Sequence, residues 1–152
     1  MGAFFTDYLD RLESLHNDLK GALAEMPNDG LDWVPGAGMN SLCVLAVHVA
    51  GAERYWIGDV VAGEPSGRDR EAEFRAKDMT AASLAERLDG SLAYTRGVVQ
   101  RLKPSDLDEI RFSPQHGREN AVGWVLAHVL AHAGLHAGHA QVTRQLWEQK
   151  NT

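Results

Sequence analysis

Residues 128–139 have the sequence HVLAHAGLHAGH and contain four of the seven histidines of the chain. These histidines are spaced by four, four and three residues, which is the repeat of one face of an α-helix. Residues three and four apart on a helix are neighbours, with Cβ atoms about 5–6 Å apart. Two of these rings can therefore bind one metal ion, as in zinc-binding helices with two histidines at i and i+4. The segment predicts a long helix that carries a metal site.

A helical projection at about 100° per residue shows which of these rings share a face. All four histidines lie on an arc that also contains Val125, Val129 and Leu135, so this face is expected to pack inward. At 1.5 Å per residue, however, the first and third histidines are about 12 Å apart, which is too far for one ion. Three pairs remain possible on geometry alone: His128/His132, His132/His136 and His136/His139.

Three further segments have the apolar spacing of amphipathic helices. The predicted helices run from about Phe5 to Met26, from Asn40 or Ser41 to about Val61, from Asp78 or Thr80 to Leu102, and from Asn120 to about Gln149. No segment of useful length alternates as a β-strand does. The predicted fold is therefore all-α, a four-helix bundle that forms one domain over residues 1–152, and its long loops allow a crossover connection.

The second predicted helix supplies a further candidate ligand. His48 projects to the centre of an apolar arc, whereas Glu53 and Arg54 project away from it. A histidine on an apolar face needs a polar partner, because burial of an unpaired polar ring costs free energy. His48 and one of the three pairs would give three nitrogens and an open position, which is typical of catalytic zinc. No inward carboxylate is evident beside these histidines. His16, on the first helix, is interpreted as a core histidine, or else as a residue of the same cavity.

Composition excludes several classes of function. The chain has 152 residues, with 15 Lys and Arg against 21 Asp and Glu, and no basic cluster of the kind that binds nucleic acid. No apolar run approaches the length of a membrane span, and no signal peptide is evident at the N-terminus. The single cysteine, Cys43, is consistent with a reducing compartment. These features predict a cytoplasmic protein that acts on a small molecule.

The motifs together resemble those of the DinB-like (YfiT-like) superfamily of metal-dependent enzymes, over essentially the whole chain. The features that carry the resemblance are Pro35-Gly36 to Asn40-Ser41, LAVHV at 45–49, Tyr55-Trp56, HVLAH at 128–132, HAGH at 136–139 and Arg144. The resemblance implies a four-helix bundle with His48, His132 and His136 as metal ligands. Many relatives have His-Arg-Gly-Gln in place of HAGH. In the branch with the HAGH form, position 132 is often acidic, which makes His128 the alternative to His132.

The resemblance also implies a cofactor and a type of chemistry. The ion would be divalent, zinc or nickel, and the protein a homodimer. Characterised relatives use mycothiol, bacillithiol or glutathione as S-transferases or isomerases, which gives the leading hypothesis for this chain. Since no inward carboxylate is evident as a base, thiolate chemistry is favoured over the alternative, a metal-dependent hydrolase. A non-catalytic binding protein, such as a sensor or resistance protein, is the second alternative. His128 and His139 are supporting candidates for proton transfer.

Overall fold

Four long helices and several short elements make up the structure, a computed structural model that describes all 152 residues. The helices are α1 Ala3–Leu23, α2 Asn28–Asp32, α3 Leu42–Arg54, α4 Arg70–Glu73, α5 Ala81–Val99 and α6 Val122–Lys150. A π-helical segment, Tyr55–Ala62, continues α3, and a 3₁₀ turn covers Pro104–Asp108. Strands β1 Ile110–Ser113 and β2 Arg118–Ala121 form an antiparallel hairpin. None of the helices is both long and apolar enough to span a membrane.

The helix directions follow from contacts between the long helices. Near the end of α6, Arg144 donates hydrogen bonds to the carbonyl oxygens of Gly21 and Ala24 at the end of α1, so α1 and α6 are parallel. Lys20, late in α1, pairs with Asp89 in the middle of α5, whereas Glu13, earlier in α1, pairs with Arg96 near the end of α5, so the two helices are antiparallel. The ring of His48 contacts His132 and that of Trp56 contacts His128, so α3 and α6 are also antiparallel.

These directions define an up-down-down-up bundle. Helix α1 packs against α5 and α6, and α3 packs against the same two helices, so α1 and α3 lie across a diagonal. Because α3 and α5 are parallel, residues 63–80 must return along the length of the bundle before α5 begins. The predicted four-helix bundle with a crossover connection is confirmed.

Where a side chain caps the start of a helix, the observed start agrees with the one predicted from the sequence. Ser41 accepts a hydrogen bond from the Val44 amide at the start of α3, and Thr80 accepts one from the Ser83 amide at the start of α5. The prediction that Asn120 caps the last helix was wrong. Asn120 lies in β2, paired with Arg111, and α6 begins after Ala121 without a side-chain cap.

The connections contain structure that the sequence did not predict. Each strand of the hairpin has only four residues, which is too few for an alternating pattern to be recognised. Between the second and third predicted helices, Asp69 accepts a hydrogen bond from the Ala72 amide and caps the single turn α4. This turn brings Glu73 against α3, where the candidate site lies.

Candidate metal centre

Three histidines converge between α3 and α6. His48 extends from α3 and is 7% exposed, and His132 and His136 extend from consecutive turns of α6. One ring nitrogen from each residue can be chosen so that all three lie within 4.8 Å of one another. The Nε2 atoms of His48 and His132 are 3.0 Å apart. Nitrogens bound to one tetrahedral zinc ion, at about 2.0–2.1 Å each, would be about 3.3 Å apart, so small side-chain movements would complete such a site.

The other nitrogen of His48 is held by a carboxylate. His48 Nδ1 lies 3.0 Å from Oε1 of Glu73, a residue that is 6% exposed. With the proton on Nδ1 and donated to Glu73, Nε2 presents its lone pair towards His132. A hydrogen bond of this kind is the usual way in which proteins fix the tautomer and orientation of a metal-binding histidine. The arrangement therefore suits His48 to a metal ion on its Nε2 side.

Glu73 is itself fixed by two features of the surrounding chain. Arg68 donates two hydrogen bonds to the carboxylate, from Nε to Oε2 and from a terminal nitrogen to Oε1, each 2.7 Å long. Gly51 of α3 provides the space, because a Cβ at this position would lie 2.0 Å from Oε2. Burial of Glu73 opposes its ionisation, but the hydrogen bonds from Arg68 and His48 outweigh this effect and lower its pKa. Glu73 is therefore a charged acceptor whose two oxygens are both in use.

Burial also keeps the two histidines of α6 in their neutral form. It is the main cause that lowers the pKa of His132 to about 3, and the neighbouring imidazoles of His136 and His48 add to the effect. The pKa of His136 falls to about 4, chiefly through burial and then through His48 and His139. A metal ion requires the neutral imidazole. At neutral pH both rings consequently have a lone pair free for a ligand bond.

The two remaining histidines of the run flank this cluster. The expectation that the whole run packs inward was wrong for His139 and Leu135, because both are exposed. The Nδ1 atom of His139 lies 3.4 Å from Nδ1 of His136. His128 stacks on Trp124 with a centroid distance of 4.9 Å and makes an edge contact with Trp56, a ring that also stacks on His116. His128 is not among the three converging nitrogens. The structure thus brings His132, rather than His128, together with His48 and His136, while the ligand assignment itself stays a prediction.

His16 belongs to a different cluster. Its Nε2 atom lies 2.6 Å from Oε2 of Glu53, and Thr95 donates a 2.6 Å hydrogen bond to the other oxygen. All three side chains are almost completely buried. The structure places His16 in the core, as the favoured interpretation of the sequence had it.

Glu53 lies on a different face of α3 from His48, as the projection indicated. This second face is also buried, because α3 packs against both α5 and α6. The expectation that no inward carboxylate lies near the histidines was wrong, because Glu73 contacts His48. The available sequence signal was Asp69, a good N-cap residue followed by acidic residues in the first turn of α4.

Fold and site together define a helical-bundle protein with a three-histidine cluster that could hold a metal ion between two of its helices. The family model of the DinB superfamily matches residues 11–140, and the chain belongs to this superfamily. A search of curated proteins finds no match to the chain.

Solved structures with the same fold include three relevant proteins. A conserved protein from Enterococcus faecalis is 17% identical, with a TM-score of 0.81 over 96% of this chain and 97% of the other. YfiT from Bacillus subtilis, described as a probable metal-dependent hydrolase with an unusual four-helix bundle topology, is 14% identical, with a TM-score of 0.76 over 95% and 89%. A mycothiol-dependent maleylpyruvate isomerase is 16% identical, with a TM-score of 0.65 over 90% of this chain and 62% of the isomerase. At these identities the likeness shows the fold.

Proposed function

We propose that the chain binds one divalent ion, zinc or nickel, through His48, His132 and His136, and acts as a thiol-dependent S-transferase or isomerase. The observation that carries the proposal is the convergence of these three imidazoles, with Glu73 holding His48 in the orientation that a ligand needs. Three protein ligands leave a further position on the ion for a substrate. The mycothiol-dependent isomerase with the same fold supports the type of chemistry.

The environment of Glu73 favours thiolate chemistry over hydrolysis. Both of its oxygens accept hydrogen bonds, and its lowered pKa makes it a weak base. No free carboxylate is therefore placed to deprotonate an attacking water. A bound divalent ion supplies the acidity that converts a thiol to its thiolate without a strong protein base.

The residues beside the cluster would handle the proton and the substrate. We expect His139, which is exposed and next to His136, to accept the thiol proton. The thiolate sulfur then bonds to the electrophilic carbon of the substrate, and His139 returns the proton to the group that receives the electron pair. His128, stacked on Trp124, would form a flat aromatic wall of the site.

We further propose a cytoplasmic, single-domain protein that acts on a small molecule as a homodimer. Leu135, Val142 and Leu146 support the dimer, because they lie on one face of α6 and remain 37–56% exposed. Light scattering on the purified protein would measure the oligomeric state, and a monomer at micromolar concentration would contradict this part of the proposal.

Metal analysis and an activity screen test the proposed function. Protein purified without a histidine tag should contain one zinc or nickel ion per chain by mass spectrometry. The loaded protein should then consume model electrophiles in the presence of mycothiol, bacillithiol or glutathione. Absence of stoichiometric metal would contradict the metal centre. Turnover of ester or amide substrates without a thiol would indicate a hydrolase, and metal binding without any turnover would indicate a sensor or resistance protein.

A further inference from the structure

A cleft of about 310 Å³ opens beside the candidate metal centre, between the start of α3 and the second half of α6. Its volume lies at the lower end of the range of about 300–1,000 Å³ that is typical of small-molecule sites. Seven residues from three parts of the chain form its wall, namely Gly38, Met39, Asn40, Leu45, His139, Val142 and Thr143.

The packing of α3 against α6 places this cleft about one helical turn from the three histidines. The ring centroids of His48 and His136 are 5.1 Å apart. Leu45 comes three residues before His48, and His139 comes three residues after His136, so along two antiparallel helices both steps lead in the same direction. Nδ1 of His139 lies 3.4 Å from Nδ1 of His136. His139 can therefore contact both a molecule in the cleft and a candidate metal ligand.

The wall of the cleft has no carboxylate, ammonium or guanidinium group. None of its seven residues is an aspartate, glutamate, lysine or arginine, and the imidazole of His139 is its one ionisable group. The first amides of α3 do not provide an anion site either, because Ser41, Leu42 and Cys43 are buried and do not line the cleft. A charged group that entered the cleft would lose hydration without gaining an oppositely charged partner, which costs free energy. The wall therefore favours an uncharged molecule.

Asn40 is the polar side chain of the wall that is free to bind a ligand. The hydroxyl of Thr143 donates a 2.8 Å hydrogen bond to the carbonyl oxygen of His139, so its hydrogen is already in use. The side-chain amide of Asn40 forms no hydrogen bond within the chain, and it offers both a donor and an acceptor. A neutral carbonyl group, which accepts a hydrogen bond without carrying a charge, suits this amide.

We propose that the cleft holds the electrophilic substrate and that this substrate is an uncharged carbonyl compound with an apolar body. The carbonyl oxygen accepts a hydrogen bond from Asn40, and the body packs against Met39, Leu45 and Val142. That the bound molecule is the substrate rests on the proposed function. That it is uncharged rests on the wall of the cleft alone.

Two probes of the same shape and different charge test the proposal. Cinnamamide and cinnamate have the same conjugated skeleton, but cinnamamide is neutral and cinnamate carries a carboxylate. Calorimetric titration of the full chain after chelator treatment measures their binding without an ion that could attract the carboxylate. We expect saturable binding of one cinnamamide per chain and an affinity for cinnamate that is at least about tenfold lower.

Two pairs of variants test whether the cleft is the binding site. Val142→Trp fills the cleft from α6, and Leu135→Trp, on the same exposed face of α6 but outside the cleft, is its control. Met39→Arg adds a cation to the wall, and Val34→Arg adds one at an exposed position outside it. Affinity for cinnamamide should fall at least about tenfold in Val142→Trp and stay unchanged in Leu135→Trp. Affinity for cinnamate should rise about tenfold in Met39→Arg and stay unchanged in Val34→Arg.

Three results would overturn the proposal: no saturable binding of cinnamamide, equal affinity of the wild type for both probes, or wild-type affinity for cinnamamide in Val142→Trp. Leu135 and Val142 both lie on the face of the proposed dimer, so an effect through dimerisation would appear in both variants. The titration needs neither metal nor thiol. A protein without stoichiometric metal or turnover would contradict the proposed function and leave these results unaffected.

Discussion

The two buried histidine–glutamate pairs of the bundle have the same chemistry and different surroundings. In the pair His16–Glu53, the second oxygen of the carboxylate accepts a hydrogen bond from Thr95, and His16 Nδ1 has no partner. In the pair His48–Glu73, the second nitrogen of the imidazole faces His132. The comparison teaches that the environment of the second nitrogen distinguishes the two pairs: the first pair is closed within the core, and the second is open towards the other candidate ligands.

The largest expected effect concerns the closed pair. Glu53→Ala leaves His16 and Thr95 buried without their acceptor, and removal of one partner from such a buried pair typically costs about 3–5 kcal/mol. Urea unfolding should show a loss of this size. Metal affinity should stay at the wild-type value, because Glu53 does not contact the three candidate ligands through a hydrogen bond.

Glu13→Ala is the control for this prediction. Glu13 pairs with Arg96 at the surface, so its removal should cost at most about 1 kcal/mol. If Glu53→Ala lowered the free energy of unfolding by no more than Glu13→Ala does, the pair His16–Glu53 would not stabilise the core.

The next effect concerns the open pair. Structural zinc sites with four ligands contribute about 10–16 kcal/mol, or about 3 kcal/mol per ligand, so His48→Ala should weaken metal binding more than about a hundredfold. His128→Ala is the matched control, since His128 lies one turn from His132 and outside the converging set. Titration with zinc in the presence of a competing chelator would measure both variants. Loss of metal in His128→Ala, with retention in His48→Ala, would reverse the ligand assignment.

A smaller effect is expected when His48 keeps its ring and loses its orientation. Glu73→Gln removes the charged acceptor of His48 Nδ1, and changes of this kind typically cost about 10–100-fold in metal affinity. Gly51→Ala should act in the same direction, because the added Cβ displaces the carboxylate. Glu71→Gln, on the exposed side of α4, is the control and should have no effect. Wild-type affinity in both Glu73→Gln and Gly51→Ala would contradict the positioning role.

The last effect, small for each pH unit because both rings are partly exposed, is a dependence of stability on pH in the metal-free protein. The folded state depresses the pKa values of His132 and His136 to about 3 and 4, below the ordinary 6.5. Between about pH 6.5 and 4 the unfolded chain therefore binds more protons at these residues, and the free energy of unfolding should fall as pH falls. The slope cannot exceed about 1.4 kcal/mol per pH unit for each histidine, and solvent screening of these partly exposed rings keeps it well below that limit.

Glu73 adds to this loss at lower pH, because its folded-state pKa is also lowered and its stabilising contribution disappears as it becomes protonated. Unfolding by urea at several pH values would measure the profile. The variant His132→Gln should have a shallower slope between pH 6.5 and 4, and an unchanged slope would contradict the assigned cause.

The sequence allowed correct placement of the candidate site residues that lie on long helices, because their spacing follows the helical repeat. Projection placed His48, His132 and His136 on inward faces. Residue type narrowed two helix starts to Asn40 or Ser41 and to Asp78 or Thr80, of which the structure has Ser41 and Thr80 as caps. The four helices follow from the same periodicity. These predictions succeeded because each depends on local geometry within one helix.

The remaining features depend on contacts between elements distant in sequence. Glu73 lies on a single helical turn without a periodic pattern, and its position is fixed by Arg68 and by the space above Gly51. The projection placed Glu53 on a different face from His48, but a projection does not show that a second helix covers that face. The choice among the three histidine pairs likewise required the packing of α3 against α6.

The parallel arrangement of α3 and α5 has a consequence for how such a protein can change. Two parallel helices that follow each other in sequence require a long connection between them, whatever the function of the protein. In this chain the connection contains Arg68 and Glu73. The three candidate ligands belong to the long helices, whose spacing is fixed by the core. Insertions or replacements within residues 63–80 can therefore alter the support of His48 and leave the three candidate ligands in place. The topology thus places the candidate ligands on the long helices and their support on a connection whose sequence can change.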